Sequence, residues 1–209
     1  MQEAADLLKN GLCILGLPYS RDQIEAFLTY LTELKKWNRA YNLTGLKSDE
    51  DIVIKHFLDS LLFLKVLPSD IRSAADIGSG AGFPGLPMKI MRPELTMVLI
   101  EPSQKKALFL DHMRRTLGLT GLEIINSRIE DVKGLLVSAV LTRALFSVKE
   151  FIDKAGKILK HDGVYLLSKG PKVEEELRGL RIRNMVGEAI QLPFHKSTRH
   201  LVMIRKADV

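Results

Sequence analysis

Gly80, Gly82 and Gly85 stand in G-x-G-x-x-G spacing within Ala75-Asp76-Ile77-Gly78-Ser79-Gly80-Ala81-Gly82-Phe83-Pro84-Gly85, and Glu101 lies 21 residues past Gly80. Glycines let backbone approach a ligand, and a carboxylate about 20 residues on can accept ribose hydroxyls, so the pattern points to a nucleoside-bearing cofactor. The bland alternative is a tight strand-to-helix turn in an ordinary sheet. Three glycines in six residues, with a strand before and a helix after, favour the ligand.

The flanking residues narrow that ligand. A pyrophosphate would sit on the amides of the helix N-terminus, yet Pro84 and Pro87 each remove an N–H there. The lysine and hydroxyl of a phosphate-binding loop are absent, because Gly85 is followed by Leu86-Pro87. Asp76 would repel a phosphate and suits an ammonium group. S-adenosylmethionine, with adenosine, a sulfonium, an amino group and no phosphate, fits better than NAD.

Other residues have two readings each. Arg143 leaves a strand at the sheet edge where ligands bind in open α/β sheets. It could meet a methionine carboxylate, an RNA phosphate or guanine O6, or form a salt bridge to Asp or Glu. Lys169 ends the next strand and is either a ligand contact or a solvated lysine. Lys35-Lys36-Trp37-Asn38-Arg39-Ala40-Tyr41 interleaves cations and aromatics as single-strand RNA binders do, or is a helix end with core aromatics. His56, on an amphipathic helix, reads first as a hydrogen-bonded packing residue. The five histidines lack ligand spacing, so no metal site is expected. The single Cys13 excludes a disulfide framework and a thiolate metal site.

The elements that must carry these residues change character near residue 73. Before it the chain is helical: Ser20-Arg21-Asp22-Gln23 is a capping box, followed by Ile24, Phe27, Leu28, Leu31 and Leu34 at helical spacing. Asn42-Leu43-Thr44-Gly45 breaks that helix, Ser48 opens the next, and Pro68 ends it. After residue 73, strand-like runs at 74–77, 95–100, 122–125, 139–142 and 163–167 alternate with helical stretches near 85–91, 103–117, 147–160 and 172–184. Ser147-Val148-Lys149-Glu150 is a second capping box. Runs at 187–193 and 199–206 have no helix between them and can pair as an antiparallel hairpin. The alternation predicts an α/β fold, a mostly parallel sheet covered by helices on both faces.

The 209 residues suit one α/β domain with an appendage, and 46% hydrophobic and 27% charged residues are ordinary for a globular chain. No apolar run approaches the ~20 residues of a membrane span, and the N-terminal stretch lacks a signal-peptide pattern. A reduced, cytoplasmic protein is expected. The net charge of +6 is uneven. Residues 1–72 hold 9 Lys/Arg against 10 Asp/Glu, whereas the last 33 hold 7 against 2. A basic end beside a neutral one suggests a polyanion, nucleic acid first.

These motifs resemble class I, Rossmann-like methyltransferases, and the surrounding text resembles the RsmG (GidB) family. The resemblance rests on Trp37-Asn38, Tyr41-Asn42-Leu43-Thr44, Lys55-His56, Asp59-Ser60, the 76–87 turn, Lys105-Lys106, Ser127-Arg128-Ile129-Glu130, Thr142-Arg143-Ala144, Lys169-Gly170 and Arg199-His200. It implies a seven-stranded sheet over residues 73–209, with residues 1–72 as an N-terminal helical extension or lid. It further implies transfer of a methyl group from S-adenosylmethionine to N7 of a guanine (guanine 527, in the 530 loop) of 16S rRNA in the small ribosomal subunit. The donor contacts would be Asp76, Gly78, Gly80, Phe83, Glu101, Ile129, Glu130 and Arg143, although Glu130 could instead cap the next helix. RNA contacts would come from Arg128, Lys169, Arg199 and His200. The protein is expected to act as a monomer.

Guanine N7 has an in-plane lone pair and no proton, so no general base is expected. Cytosine C5 chemistry by a cysteine nucleophile is excluded, since Cys13 precedes the fold. A small-molecule methyltransferase and a non-catalytic RNA-binding assembly factor remain as rivals. Salt-insensitive substrate binding would favour the first, and failure to bind the donor the second.

Overall fold

The computed structural model describes every residue except Ala144 and Arg181. Ala144, in the Thr142-Arg143-Ala144 motif, and Arg181, inside the helix expected over 172–184, therefore lie outside the described residues.

Helices come first: α1 (Gln2–Ile14), α2 (Arg21–Tyr41), and a broken helical run of α3 (Asp49–Ile52), a π-helical stretch (Val53–Leu58), α4 (Asp59–Leu61) and α5 (Phe63–Val66). α2 starts where Ser20 predicts. The Ser20 hydroxyl accepts from the Gln23 amide at 3.2 Å, and the Gln23 side chain accepts from the Ser20 amide at 2.8 Å. It stops at Asn42, whose φ of 50° is left-handed and tolerated best by Asn among residues with a side chain. Its apolar stripe, Ile24, Phe27, Tyr30, Leu31 and Leu34, is buried.

The sheet strands are β1 (Ser73–Ile77), β2 (Thr96–Ile100), β3 (Leu122–Ile125), β4 (Val137–Arg143), β5 (Leu159–Lys169), β6 (Met185–Gln191) and β7 (Thr198–Arg205). They lie in the order β3-β2-β1-β4-β5-β7-β6. β1 to β5 are parallel and β7 runs antiparallel to both β5 and β6. The expected α/β fold with a seven-stranded, mostly parallel sheet is what forms, including the terminal hairpin. The helices between strands are α6 (Gly85–Met91), α7 (Gln104–Thr116), α8 (Val148–Ala155) and α9 (Val173–Arg178). Two run shorter than their patterns. α8 tightens into a 3₁₀ turn at Gly156–Ile158 because β5 already begins at Leu159, and α9 stops where Gly179 follows.

Side chains alternate across the sheet, which divides the core in two. Ala74, Met97, Leu99, Ala139, Leu141 and Leu166 face a core that includes Leu8, Phe27, Leu31, Phe57, Leu61 and Phe63. Ala75, Ile77, Val98, Ile100, Val140 and Leu167 face α8 through Val148, Phe151 and Ala155. Residues 1–72 thus share one continuous apolar core with a face of the sheet. Each fully buried Leu or Phe there contributes about 1.5–3 kcal/mol, which fixes the N-terminal helices against the strands that carry the site.

Candidate functional site

The glycine turn leaves β1 and is tied down from three sides. Gly78 and Ser79 donate to the Ile100 carbonyl at 2.8 and 3.3 Å, joining the turn to β2. The Tyr30 hydroxyl donates to the Ala81 carbonyl at 2.5 Å, joining it to α2. Asp76 lies beneath, fully buried, with Oδ2 accepting from the Gly85 amide at 2.8 Å. A β-carbon on Gly85 would stand 2.3 Å from Leu99 Cδ2 and 3.0 Å from Asp76 Oδ2, so only glycine fits that contact. Gly80 is different: its φ is +60° and a β-carbon would meet nothing within 4 Å, so it borders open space. The Gly80 amide donates to Glu101 Oε2 at 2.8 Å, and Glu101 Oε1 accepts from the Ser103 amide at 2.9 Å.

Burial pushes the Asp76 carboxyl up to about 7, against the lowering effects of the Gly85 amide and Arg143. Its Oδ1 has no hydrogen-bond partner among the described residues. The folded protein therefore takes up a proton here that the unfolded chain, with a carboxyl near 3.9, has released. This group's stabilising contribution is complete below about pH 4 and is lost as pH rises toward 7. Relative to wild type, the stability of Asp76→Asn accordingly increases between pH 4 and 7 and then levels off, as denaturant titrations at a series of pH values will read out. A difference independent of pH would show that Asp76 is ionised throughout.

Beside the turn lies a cleft of ≈ 130 Å³ walled by Gly78, Ile100, Pro102, Arg128, Ile129 and Leu145, among others. Ile129 is buried. Leu145 leans on the turn, since a β-carbon on Gly78 would lie 2.2 Å from its Cδ2. Glu130 reaches the rim, but its carboxylate pairs with Lys154 and is held below the usual range chiefly by that hydrogen bond. Arg128 is exposed. The residues present suit an adenosyl donor bearing an ammonium group: a carboxylate for a diol, apolar walls for a purine, and an unpartnered carboxylate oxygen on Asp76.

Arg143 is not in that cleft. It lines a neighbouring pocket of ≈ 280 Å³ with Lys55, Asp59, Ser168, Lys169, Gly170 and Arg199. Asp59, with a side chain only 3% exposed, binds Arg143 at 3.1 Å and Arg199 at 2.7 Å. The guanidinium of Arg143 also donates to the Lys55 carbonyl at 3.0 Å and to His56 Nδ1 at 3.1 Å. His56 Nδ1 is thus an acceptor, so the proton sits on Nε2 and is donated to Thr44 Oγ1 at 2.6 Å. Burial first, and the Arg143 charge second, lower the His56 pKa to about 3. Lys169 is buried, donating to the Phe146 carbonyl and pairing with Glu176 at 2.8 Å. Among the described residues four cations and one carboxylate line the pocket, and the Ser168 hydroxyl at its wall has no hydrogen-bond partner.

The structure therefore groups Gly78, Ile129 and Glu130 around one cleft, with Gly80 and Glu101 bonded to each other in the adjoining turn, and Arg143, Lys169 and Arg199 around the other. His200 separates from Arg199 by strand alternation: Leu201 shares the Arg199 side facing the N-terminal helices, whereas His200 and Val202 face α8. Phe83, expected at the donor, packs instead into the N-terminal helices. Its ring stacks on His56 at 4.2 Å and Tyr30 at 5.4 Å, with Arg143 5.4 Å above it. Trp37 likewise packs, against Phe109 and His112, and is no free stacking platform. Two residues escaped the sequence reading of the site. Tyr30 fell on an apolar stripe, where nothing marks a hydroxyl aimed at a distant loop. Asp59 appeared only inside a motif, although an acid flanked by Leu58, Leu61 and Leu62 was itself a signal of a buried partner.

Among the described residues no helix is long and apolar enough to cross a membrane, and no cluster of three or more His, Cys, Asp or Glu is placed to hold a metal ion. Residues 23–202 match the family model for rRNA small subunit methyltransferase G (GidB). The chain is 32% identical over 206 residues to the ribosomal RNA small subunit methyltransferase G of Francisella philomiragia, covering 99% of this chain and 100% of that one. It is 36% identical over 199 residues to the enzyme of the same name from Coxiella burnetii, covering 95% and 96%. Among solved structures, it resembles a ribosomal protein L11 methylase from Lactobacillus delbrueckii with a TM-score of 0.56 at 13% identity, covering 73% of this chain and 79% of that one. M. jannaschii TYW2 in complex with AdoMet gives 0.54 at 16% identity, covering 70% and 75%. At these identities the structural matches establish a shared fold.

Proposed function

The chain belongs to the rRNA small subunit methyltransferase G family, and from that premise we propose that it methylates N7 of a guanine in 16S rRNA, guanine 527 of the 530 loop, using S-adenosylmethionine. The observation that carries the reading is the placement of two dissimilar clefts on one edge of the sheet. β1, β2, β4 and β5 deliver Gly78, Glu101, Arg143 and Lys169 at their carboxyl ends. β7, running the other way, brings Arg199 to the same edge. A small cleft with apolar walls beside the glycine turn and a pocket lined by cations, both at the carboxyl ends of the strands, suit a small donor and a polyanionic acceptor.

When bound, S-adenosylmethionine supplies an electrophilic methyl group. Glu101 holds the ribose hydroxyls, and Ile129 with Ile100 supports the purine. Arg143 and Arg199, two cations sharing the single carboxylate of Asp59, draw in the RNA backbone, with Arg128 adding charge at the donor side, while Lys169, paired with Glu176, shapes the pocket wall. Alignment of this kind can supply about 7–11 kcal/mol of the barrier. No side chain needs to remove a proton from N7. His56 is unsuited to that task in any case, since both ring nitrogens are committed and the ring stays neutral.

Two measurements test this reading. Mass mapping of unmodified 16S rRNA after incubation with protein and donor should locate one added methyl group on guanine 527, and a methyl group elsewhere would overturn it. Single-turnover transfer, with RNA and donor saturating, should change less than about threefold between roughly pH 6.5 and 8.5, because no side chain takes a proton from N7 and Asp76, which titrates near 7, faces the ammonium group of a donor that is already saturating. His56→Ala should keep that flat profile. A tenfold rise abolished by removing one titratable side chain would show that a base takes part.

A further inference from the structure

The groove between the end of α2 and the 42–48 loop lies outside both clefts and encloses ≈ 730 Å³, lined in part by Lys35, Asn38, Arg39, Asn42, Thr44 and Lys47. We propose that this groove seats a single strand of the substrate RNA flanking the target nucleotide. The proposal rests on the reading of the chain as an RNA methyltransferase and extends it to a surface that reading does not use.

Three cations and no carboxylate are among the residues lining the groove. Lys35 is engaged by Asp49, but Arg39 and Lys47 are exposed and have no ion-pair partner among the described residues. Of the nearby acids, Glu33 is occupied by Lys36 and His112, Asp49 by Lys35 and Asp51 by Lys55, which leaves Glu50 as the one exposed carboxylate of the 48–51 turn without an ion pair among the described residues. Asn38 uses its side-chain oxygen to accept from the Thr44 amide at 2.9 Å, which leaves its NH₂ as a donor. Asn42, exposed in its left-handed conformation, makes no side-chain hydrogen bond among the described residues. Phosphate and ribose oxygens are the acceptors that such a set of cations and amides satisfies. Tyr41, at the same helix end and 46% exposed, offers an aromatic face of the kind on which unpaired bases stack. The carbonyls at the C-terminus of α2 repel phosphate at short range, so the attraction must come from Arg39 and Lys47.

The groove is also joined to the basic pocket. Thr44 lines it, the Thr44 hydroxyl accepts from His56, and His56 accepts from Arg143. A strand lying in the groove therefore touches the network that orients Arg143.

The test is Arg39→Glu with Lys47→Glu, both exposed positions where folding is not at stake, alongside the milder Arg39→Gln with Lys47→Gln. Binding and methylation are measured on naked 16S rRNA and on small subunits, with S-adenosylmethionine saturating. We expect the charge-reversed protein to lose at least tenfold in RNA affinity, with KM rising to match and with kcat and donor affinity unchanged. For the neutral pair, the slope of log K against log salt should fall by about 1.4, two single-strand phosphate contacts. Unchanged affinity in both variants, while wild type methylates RNA, would overturn the groove and leave the function standing. Weakened binding to subunits but not to naked RNA would assign the groove to a ribosomal protein, and so also overturn it. If wild type binds donor but methylates neither form of RNA, the functional reading falls and the groove proposal with it.

Discussion

Replacing Gly80 by valine lowers the affinity for S-adenosylmethionine at least tenfold and leaves the protein folded. Gly80 holds φ at +60° with open space in front of it, and a β-branched residue is a steric outlier in that conformation. The strain, about 1–3 kcal/mol, is relieved only by turning the peptide that bonds Glu101, so the carboxylate meant for the ribose moves with it. The valine methyl groups also enter the space the ligand needs. Gly118 supplies a control, since it too is left-handed, at φ +59°, and a β-carbon there would also meet nothing within 4 Å. Gly118→Val should lose comparable stability in thermal unfolding and bind donor normally by calorimetry. A folded Gly80→Val protein with wild-type affinity would remove the glycine turn from the donor site.

Removing the carboxylate of Asp59 should have the largest effect on stability. Asp59→Ala leaves the Arg143 and Arg199 guanidinium groups, with side chains 18% and 28% exposed, facing each other without their shared anion. Breaking a buried pair in this way costs about 3–5 kcal/mol, most of it the cost of the uncompensated charge. Asp59→Asn, which keeps the shape and one acceptor, should cost less. RNA methylation should fall more than donor binding, because the donor cleft does not include Asp59. Urea titration reads the first expectation and paired binding measurements the second. A loss below about 1 kcal/mol for Asp59→Ala would mean that the pocket is hydrated enough to dispense with the clamp.

The sheet was legible because β1, β2, β4 and β5 are largely buried on both faces and, like the half-exposed edge strand β3, are written as short runs rich in apolar residues between turn signals. The capping boxes at Ser20 and Ser147 placed their helix starts to the residue. What local pattern does not encode is which residues meet across the fold. Arg143 and Lys169 were located correctly at the ends of their strands, but their partners, Asp59 and Glu176, come from other elements. Phe83 sits inside a motif associated with ligand binding, yet its environment is set by Tyr30, His56 and Phe57 on helices far away in the chain. The division into extension and sheet domain reflects a real change of texture at residue 73, but texture does not show that the helices and the sheet share a core. The π-helical stretch at Val53–Leu58 has no signature in local spacing that would separate it from an α-helix.

The clamp on Asp59 has a consequence in time. Its second arginine follows it by 140 residues. At about 5–20 residues per second a growing chain therefore exposes the carboxylate about 7–28 s before Arg199 is made. Until then β5 has no β7 beside it, and Leu201, which joins the core shared with the N-terminal helices, has not been made. The cationic pocket is thus among the last parts of the molecule to be completed, and a nascent chain still short of β7 lacks one of its four cations. Completion of that pocket is tied by the fold itself to the synthesis of β7.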